Sequence, residues 1–414
     1  MSTNVHGARP LRFGANYTPS KDWFFGWYDL DLDAASRDFD QLAALGLDHI
    51  RLFALWPHLQ PNRSFIAPVV LEQLAELVRR AKAAGLDTNV DVLQGHMSGM
   101  EFMPVWLSTR HRRSIYADPD VVAAEEELLT AVARRLRDEP GFLGLTLGNE
   151  MNLLVTEYPT NLDEITAWLP RLLAACRAGA PEATHLHSTY DAVFYSEGHP
   201  FTPAHVGELG DLAAVHSWVF NGTVQRYGSD SEIVRRHAEY LIEQAAAHLN
   251  DPARPVWLQE VGAPLPLIAD RDLDAFVHGT VQHALDCPSL WGVTWWSSHA
   301  VSRRFTDFKD LEHTLGLYAE DGSVTPTGRA FADAVARARK DPGVPAVRHT
   351  AVLLPDERTS DPRAGYGPGG AVFEAWMRLA STGARPALVR PAQVESGAAA
   401  LNGITDILRP EDVL

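Results

Sequence analysis

Two glutamates end short apolar runs, where a carboxyl group can serve as an acid, a base or a nucleophile. Glu150 ends the run LGNE, and Glu260 ends the run WLQE. If both runs are strands of one parallel barrel, the two carboxyl groups meet at the carboxyl-terminal rim, where such barrels carry their active sites. Carboxyl groups about 5 Å apart suit hydrolysis of a glycosidic bond with retention of configuration, because one protonates the leaving oxygen while the other attacks the anomeric carbon.

The two glutamates need different protonation states, so we expect their surroundings to shift their pKa values in opposite directions. Arg51 lies in a predicted strand and would place a permanent cation near Glu260, which lowers the pKa of a carboxyl group. Glu150 would lack that cation and lie among apolar neighbours, which raises its pKa. An arginine inside a barrel could instead serve a structural partner, and this alternative stays open here.

Other polar and aromatic residues stand at the ends of other predicted strands, where they could line a sugar pocket. His96 follows the third strand, and His216 lies at the end of the sixth. Trp296 ends the eighth strand, and its face is expected to stack under the reacting sugar. Because side chains alternate along a strand, the neighbouring Trp295 is expected to point the opposite way.

Eight short apolar runs must position these residues, and they alternate with alanine- and leucine-rich segments of helical periodicity. Their starts recur at intervals of about 40 residues, enough for one strand, one helix and two loops. The pattern predicts an α/β fold, a (β/α)8 TIM barrel with some enlarged loops. The predicted strands are Leu11–Ala15, His49–Ala54, Asp87–Val92, Phe142–Leu147, Thr184–Thr189, Leu212–His216, Pro255–Gln259 and Trp291–Trp295.

Three helices between these strands are marked clearly by the residues at their ends. The helices over residues 31–45 and 70–84 each stop at a glycine, which commonly follows a helix C-terminus. A third helix opens with Asp118 as the capping side chain and Pro119 at its first position. These segments are predicted to form part of the outer layer of the barrel.

The chain is predicted to divide into a catalytic barrel, residues 8–339, and a small C-terminal βαβαβ appendage with parallel strands, residues 346–414. About 70 residues are too few for an independently stable domain. The appendage is therefore expected to lean on the barrel or on another subunit, which leaves a homo-oligomer open. Its main predicted elements are Thr350–Leu354, Val372–Thr382, Pro386–Val389 and Ile404–Leu408.

The strand-end motifs resemble those of retaining glycosidases, and of glycoside hydrolase family 5 in particular. The resemblance rests on LGNE, WLQE, IRLF around Arg51 and GVTWW ending at Trp296, and it covers about residues 10–330. It implies that Glu150 is the acid/base and Glu260 the nucleophile. It further implies that Asn149 holds the sugar 2-hydroxyl and that Arg51 keeps the nucleophile ionised.

One position departs from the family pattern. The family usually has a tyrosine two residues after the histidine of strand six, and this chain has Trp218 there. No phenol can contact the nucleophile from that position. Either another residue fills the role, or Trp218 shapes the sugar pocket.

The loop after the first strand is rich in aromatic residues and contains Asn16 and Trp23. It is either a hydrophobic plug over the rim or a wall of the sugar pocket. With Asp191 from another loop, it could close one end of the cleft and favour exo-action on short substrates. The choice between these interpretations needs the positions of the loops.

Several segments are similar to one group of family 5, the bacterial β-mannosidases that act on the Manβ1-4GlcNAc unit of N-glycan cores. These segments are FGANYTPS, LWPHLQPNR, VDVLQGH and TLGNE. The resemblance implies an exo-β-mannosidase active in N-glycan degradation. An endo-β-1,4-mannanase or a β-glucosidase would use the same machinery, and a non-catalytic sugar-binding barrel is a third alternative.

The composition of the 414-residue chain excludes several partners. Its 36 basic and 53 acidic side chains give a formal net charge of −17, which repels nucleic-acid phosphates and anionic lipids. A small saccharide is therefore the expected partner. Two cysteines, no apolar leader and no membrane-spanning run favour the cytoplasm. No metal or other cofactor is predicted, because HExxH, Walker and GxSxG motifs are missing.

Overall fold

The computed structural model describes residues 11–108, 113–341, 343–358 and 360–414. Its largest element is a curved sheet of seven strands in which every pairing is parallel. The strands are β1 (Arg12–Asn16), β2 (His49–Leu55), β3 (Asp87–Gln94), β4 (Phe142–Thr146), β5 (Ala213–Ser217), β6 (Val256–Val261) and β7 (Leu290–Trp295). Their order across the sheet is β4-β3-β2-β1-β7-β6-β5. Because all seven strands run in the same direction, the ends of β4 and β6 lie on one rim. Glu150 follows β4, and Glu260 lies near the end of β6.

Long helices connect the strands and form the outer layer, as the TIM barrel requires. They are α1 (Leu32–Ala44), α2 (Pro68–Ala83), α3 (Pro119–Leu136), α4 (Leu162–Gly179), α5 (Glu232–Ala247), α6 (Leu273–Leu285) and α7 (Pro326–Lys340). The helix starts predicted at Asp31 and Asp118 are confirmed, because Asp31 accepts a hydrogen bond from Ala34 N–H at 2.9 Å and Asp118 caps α3 in the same way. The helix predicted from residue 70 begins two residues earlier, at Pro68. The predicted (β/α)8 barrel is confirmed.

The fifth predicted strand, Thr184–Thr189, is wrong as a regular strand. The segment does occupy the gap between β4 and β5, and backbone hydrogen bonds join it to β4. Two features interrupt a regular ladder there. Gly144 has a φ of +148°, and a side chain at this position would collide with the Thr184 carbonyl. The ring of His185 accepts a hydrogen bond from the Leu145 N–H at 3.2 Å, so a side chain stands where a ladder carbonyl would.

The rim of the barrel is irregular where the candidate residues lie. β6 continues to Val261, so Glu260 lies inside this strand and not beyond its predicted end. The register between β5 and β6 shifts so that His216 pairs with Glu260. Beyond β4, Glu150 has φ 45° and ψ 45°, a left-handed conformation that is uncommon outside glycine. These departures aim all three side chains at one point.

The C-terminal segment forms a second, three-stranded parallel sheet. β8 (Thr350–Leu353) lies between β9 (Ala387–Val389) and β10 (Asp406–Leu408). Helix α8 (Ala371–Ser381) connects β8 to β9 and packs on α5 of the barrel. There Tyr240 meets Phe373 and Trp376 at ring-centroid distances of 4.9 and 5.3 Å. The division into two domains stays a prediction, and the first residues of the predicted barrel, 8–10, lie outside the described residues.

Short elements complete the described part of the chain. None of its helices is both long and apolar enough to cross a membrane. The short helical turns and the small hairpin are Trp23–Asp29, Trp56–Leu59, His96–Met97 paired with Met100–Glu101, Val105–Leu107, Met151–Val155, Ala192–Tyr195, Pro203–Glu208, Thr223–Tyr227, Asp270–Asp272, Asp310–His313, Arg363–Gly365, Pro391–Glu395, Ala398–Leu401 and Pro410–Val413.

Candidate active site

Glu150 stands directly beyond β4 and is only 6% exposed. Its backbone N–H donates to Ser188 Oγ at 3.2 Å, which holds the left-handed turn in place. Its Oε1 lies 2.7 Å from Nδ1 of His216. Among the described residues, no arginine or lysine forms an ion pair with this carboxyl group.

Glu260 differs from Glu150 because a guanidinium group binds it directly. Arg51, fully buried on β2, donates from Nη1 to Glu260 Oε1 at 2.5 Å. The indole Nε1 of Trp218 donates to the other oxygen, Oε2, at 3.2 Å. The expected proximity of Arg51 to Glu260 is therefore found. The indole N–H of Trp218 contacts Glu260 in place of the tyrosine hydroxyl that the family usually has at this position.

Asp91 on β3 is a site residue that the sequence analysis missed. Arg51 donates to it twice, from Nε to Oδ1 at 2.9 Å and from Nη2 to Oδ2 at 2.6 Å. Such a two-point contact fixes the plane of a guanidinium group, and here it aims Nη1 at Glu260. Arg51 thus has both a structural partner and a place in the site. The signal for Asp91 was its position inside an apolar strand, where an unpaired carboxylate is costly.

His216 joins the two glutamates. Its Nδ1 lies 2.7 Å from Glu150 Oε1 and 3.4 Å from Glu260 Oε2, and its Nε2 lies 3.1 Å from Gln259 Oε1. One oxygen of each carboxyl group and a ring nitrogen of His216 lie within 4.8 Å of one another. This limit on the distance between the two oxygens is compatible with the roughly 5 Å between carboxyl groups in retaining glycosidases. The trio also has the spacing of a metal site, but Arg51 already neutralises Glu260 and disfavours a second cation there.

The electrostatics of the two glutamates depart from the expectation. Burial raises the pKa of Glu150 to about 8; Arg51 opposes the shift and Asp91 adds to it. Burial also raises the pKa of Glu260, although the charges of His216 and Arg51 pull it back down. The expected opposite directions are therefore wrong, because both carboxyl groups are removed from water. What distinguishes them is that only Glu260 accepts hydrogen bonds from Arg51 and Trp218, which favour its ionised form.

Two asparagines hold the guanidinium group from either side. Asn149 Oδ1 accepts from Arg51 Nη2 at 2.8 Å, and its Nδ2 donates to the carbonyl of His96 at 3.2 Å. Asn16 Oδ1 accepts from Arg51 Nη1 at 3.1 Å, and its Nδ2 donates to the carbonyl of Gln259 at 3.0 Å. Both amides therefore orient Arg51, and contact of either with sugar stays a prediction.

The tryptophans of the rim alternate as expected. Trp295 packs outward against Phe331 of α7, with ring centroids 4.8 Å apart. Trp296 points inward, 5.8 Å from the ring of Phe53 and 6.5 Å from that of Trp218. Trp296 therefore lies beside the indole that contacts the nucleophile candidate. Stacking of a sugar on it stays a prediction.

His96 and Trp23 lie in more crowded surroundings. Burial lowers the pKa of His96 to about 4, so this imidazole is neutral at pH 7. Trp23 is 2% exposed and packs edge-on against Phe24 and Phe308, 4.7 and 4.6 Å away. These contacts favour the plug over the wall as the role of the first loop. Contact of either residue with a sugar stays a prediction.

Asp191 lies near Glu150, and two of its neighbours, Tyr190 and Asn221, were not predicted from the sequence. Burial raises the pKa of Asp191 to about 8, and the charge of Glu150 adds to the shift. Asn221 donates from Nδ2 to Asp191 Oδ2 at 3.4 Å and also to the hydroxyl of Tyr190. Burial and the charges of Asp191, Glu150 and Glu260 raise the pKa of Tyr190. Tyr190 and Asn221 therefore join the candidate site.

Glu312, in the loop after β7, is a further acidic group that no sequence pattern marked. It accepts a hydrogen bond from Ser98 Oγ at 3.1 Å, which joins the loops after β3 and β7. Burial raises the pKa of Glu312 to about 7, and the charge of Glu260 adds to the shift. An ion pair between Arg304 and Asp22 joins the loop after β7 to the loop after β1. The rim loops thus contact one another over the barrel.

Comparison with solved structures identifies relatives over almost the whole chain. No protein-family model matches the chain, and neither does any curated protein. A GH5_18 protein from Streptomyces cattleya, a glutamate-to-alanine variant in complex with Manβ1-4GlcNAc, is 49% identical and has a TM-score of 0.94. The match covers 98% of this chain and 100% of that one.

Two further structures agree with this match. GH5_18 from Streptomyces cattleya in complex with GlcNAc is 49% identical, with a TM-score of 0.95 and coverage of 98% and 100%. A glutamate-to-alanine variant of GH5_18 from Bifidobacterium longum subsp. longum, in complex with Manβ1-4GlcNAc, is 41% identical, with a TM-score of 0.93. That match covers 97% of this chain and 96% of the other. The likeness includes the barrel and the C-terminal segment alike.

Proposed function

The chain belongs to glycoside hydrolase family 5, subfamily 18, and we propose that this glycoside hydrolase is a retaining exo-β-mannosidase acting on short β-mannosides such as Manβ1-4GlcNAc. One observation carries the proposal: an oxygen of Glu150 and an oxygen of Glu260 lie within 4.8 Å of each other, and of these two glutamates only Glu260 accepts a hydrogen bond from Arg51. The two relatives in complex with Manβ1-4GlcNAc support the choice of disaccharide.

In the first step, a carboxylate oxygen of Glu260 attacks the anomeric carbon while Glu150 gives its proton to the glycosidic oxygen. The bond between the anomeric carbon and the glycosidic oxygen breaks, and the aglycone leaves with the proton. A covalent mannosyl ester forms on Glu260. A pKa of about 8 keeps Glu150 protonated at neutral pH. Hydrogen bonds from Arg51 and Trp218 favour the ionised form of Glu260, against the burial that raises its pKa, and fix its orientation.

In the second step, Glu150 is ionised and takes a proton from water. The water oxygen attacks the anomeric carbon from the face that the aglycone left, and the ester bond to Glu260 breaks. Two inversions give net retention. We assign the sugar 2-hydroxyl to Asn149 and stacking under the ring to Trp296. The remaining proposed substrate contacts are Asn16, Trp23, Arg51, His96, Asp191, His216 and Trp218.

The joined rim loops support exo-action. Ser98 and Glu312 connect the loops after β3 and β7, and Asp22 with Arg304 connects the loops after β1 and β7. A cleft closed on that side accepts a chain end and excludes the interior of a polymer. Because Manβ1-4GlcNAc is a unit of N-glycan cores, we place the enzyme in N-glycan degradation, acting on short fragments in the cytoplasm.

Azide rescue tests the roles of the two glutamates. The substrate is 2,4-dinitrophenyl β-mannoside, whose leaving group needs no proton. In Glu260→Ala, azide enters from the vacated face and gives the α-mannosyl azide. In Glu150→Ala, azide attacks the mannosyl ester from the opposite face and gives the β-mannosyl azide. Glu182→Ala, at an exposed position, is the matched control and is expected to keep wild-type turnover. Azides of the same configuration from both variants would overturn the assignment.

A substrate panel tests the specificity. The wild-type enzyme is offered Manβ1-4GlcNAc, β-1,4-mannan oligomers and gluco-configured disaccharides at equal concentration. The proposal expects the highest kcat/KM for Manβ1-4GlcNAc and release of single mannose units. Internal cleavage of mannan would favour the endo-β-1,4-mannanase alternative, and preference for the gluco series would favour a β-glucosidase. Binding without turnover would favour a sugar-binding barrel.

A further inference from the structure

We propose that the C-terminal segment, residues 346–414, positions two substrate-facing loops of the barrel, and that Arg363 is its principal positioning residue. The first is loop 190–202, which precedes β5 and begins with Tyr190 and Asp191. The second is loop 218–228, which follows β5 and contains Trp218 and Asn221. This inference rests on the proposed β-mannosidase function, because both loops belong to that site.

The side chain of Arg363 extends from the C-terminal segment and donates hydrogen bonds to the backbone of loop 190–202. Its Nη1 donates to the carbonyls of Phe201 at 2.8 Å and Val193 at 3.3 Å, and its Nη2 donates to the carbonyl of His199 at 3.1 Å. Asp361 holds the guanidinium group from behind and accepts from the Gly198 N–H at 2.8 Å. The residue is 6% exposed, so these bonds are shielded from water.

The other end of loop 190–202 is anchored beside the catalytic acid. Asn152, two residues after Glu150, accepts from the Tyr190 N–H at 2.7 Å and donates to the Tyr190 carbonyl at 3.3 Å. The ring of His199 lies 3.2 Å from the Asn152 carbonyl. The loop is therefore held by hydrogen bonds both to Asn152, beside the Glu150 turn, and to Arg363. Tyr190 and Asp191 project from the part nearest the glutamates.

The C-terminal segment also contacts loop 218–228. The Tyr227 hydroxyl donates to Glu374 of α8, and the Tyr227 ring stacks on Phe373 at 5.9 Å with an interplanar angle of 20°. Asn221 in the same loop reaches across to Tyr190 and Asp191. Both loops thus contact the C-terminal segment, and Asn221 joins the two loops to each other.

Arginine is suited to this task in a way that lysine is not. The planar guanidinium group offers donors in several directions at once, and here it serves three carbonyls of one loop and the carboxylate of Asp361. Loss of the group leaves those carbonyls without their partner and lets the loop move away from the site. The packing of Tyr240 on Phe373 and Trp376 already attaches the segment to the barrel, so Arg363 is not needed for attachment alone.

The experiment compares full-length Arg363→Ala and Arg363→Lys with the wild type, using the best substrate from the panel above. Arg358→Ala is the matched control, because this arginine belongs to the same segment and, within the described part of the chain, its ion pairs are with Asp356 and Glu395 of that segment. We measure kcat and KM well below the melting temperature, together with the melting temperature itself. The same substitutions are then made in a Tyr190→Phe/Asp191→Asn background.

The proposal expects Arg363→Ala to lower kcat/KM at least tenfold, Arg363→Lys to recover part of the loss, and Arg358→Ala to stay within twofold of wild type. In the Tyr190→Phe/Asp191→Asn background, Arg363→Ala should cost less than threefold, because the groups it positions are already gone. Unchanged kcat/KM, or a full additional loss in that background, would overturn the proposal. If the wild-type enzyme preferred another sugar, only the proposed function would fail, since each comparison is internal to one substrate.

Discussion

Replacing Trp218 with phenylalanine tests the contact that substitutes for the family tyrosine. The substitution keeps an aromatic ring beside Trp296 and removes the indole N–H that lies 3.2 Å from Glu260 Oε2. Arg51 and His216 still contact Glu260 in the variant. The change therefore isolates one donor to the ionised nucleophile.

The size of the effect follows from the kind of bond that is lost. A hydrogen bond to a charged group contributes about 1.5–3 kcal/mol, and the 3.2 Å length places this one toward the lower end. A loss of about 1.4 kcal/mol lowers kcat/KM about tenfold. The same donor stabilises the charged form of Glu260, so its removal raises the pKa of Glu260 further. The acid limb of the pH profile should accordingly move to higher pH.

The assay is kcat/KM for Manβ1-4GlcNAc from about pH 3 to pH 9, because this quantity reports the ionisations of the free enzyme. Trp291→Phe is the matched control, since Trp291 lies near the start of β7, at the opposite end of the barrel from the glutamates. The control should keep the wild-type profile. A Trp218→Phe variant with wild-type kcat/KM and an unmoved acid limb would refute the role assigned to the indole.

Three further predictions follow from the same contacts. The alkaline limb of kcat/KM should fall near pH 8, because above that pH Glu150, whose pKa burial raises to about 8, loses the proton it must donate; a limb beyond pH 10 in the same titration would contradict this. Asp91→Ala should lower the free energy of unfolding by about 3 kcal/mol or more, because it removes one partner of the buried ion pair with Arg51; an unchanged urea midpoint would speak against it. Phe373→Ala should cost about 3–5 kcal/mol of stability, because this fully buried ring packs on Tyr240; thermal and urea unfolding measure the loss, and a shift as small as that of an exposed substitution would show that α8 contributes little to attachment.

Periodicity was sufficient to predict the barrel and the proximity of Glu150 and Glu260 at its rim. Parallel strands carry their last residues to one rim, so the sequence alone predicts that Glu150 and Glu260 lie close together. The expected neighbour relation of Arg51 to Glu260 followed from the same reasoning. Asp91 could not be assigned because its role depends on the register of β2 and β3, which places it opposite Phe53 and within reach of the Arg51 side chain. A strand pattern does not contain that register.

Loop residues escaped the sequence analysis for a different reason. Tyr190, Asn221 and Glu312 lie in segments with no repeating pattern, and only tertiary contacts bring them near the glutamates. The predicted strand Thr184–Thr189 failed because the backbone around Gly144 and the His185 ring interrupt the ladder, details that an apolar run does not reveal. The opposite pKa shifts failed because burial, which acts on both carboxyl groups, outweighs the single cation.

The left-handed backbone conformation at Glu150 costs the folded protein stability at a position where the proposed function needs a carboxyl group. A residue with a Cβ atom pays about 1–2 kcal/mol for that conformation, and glycine does not. The carboxyl group is also withdrawn from water at the same place. A chain selected only to resist heat would therefore discard glutamate at this turn in favour of glycine. Glutamate at this turn thus lowers the stability of the fold, which is consistent with the proposed role of Glu150 as the proton donor.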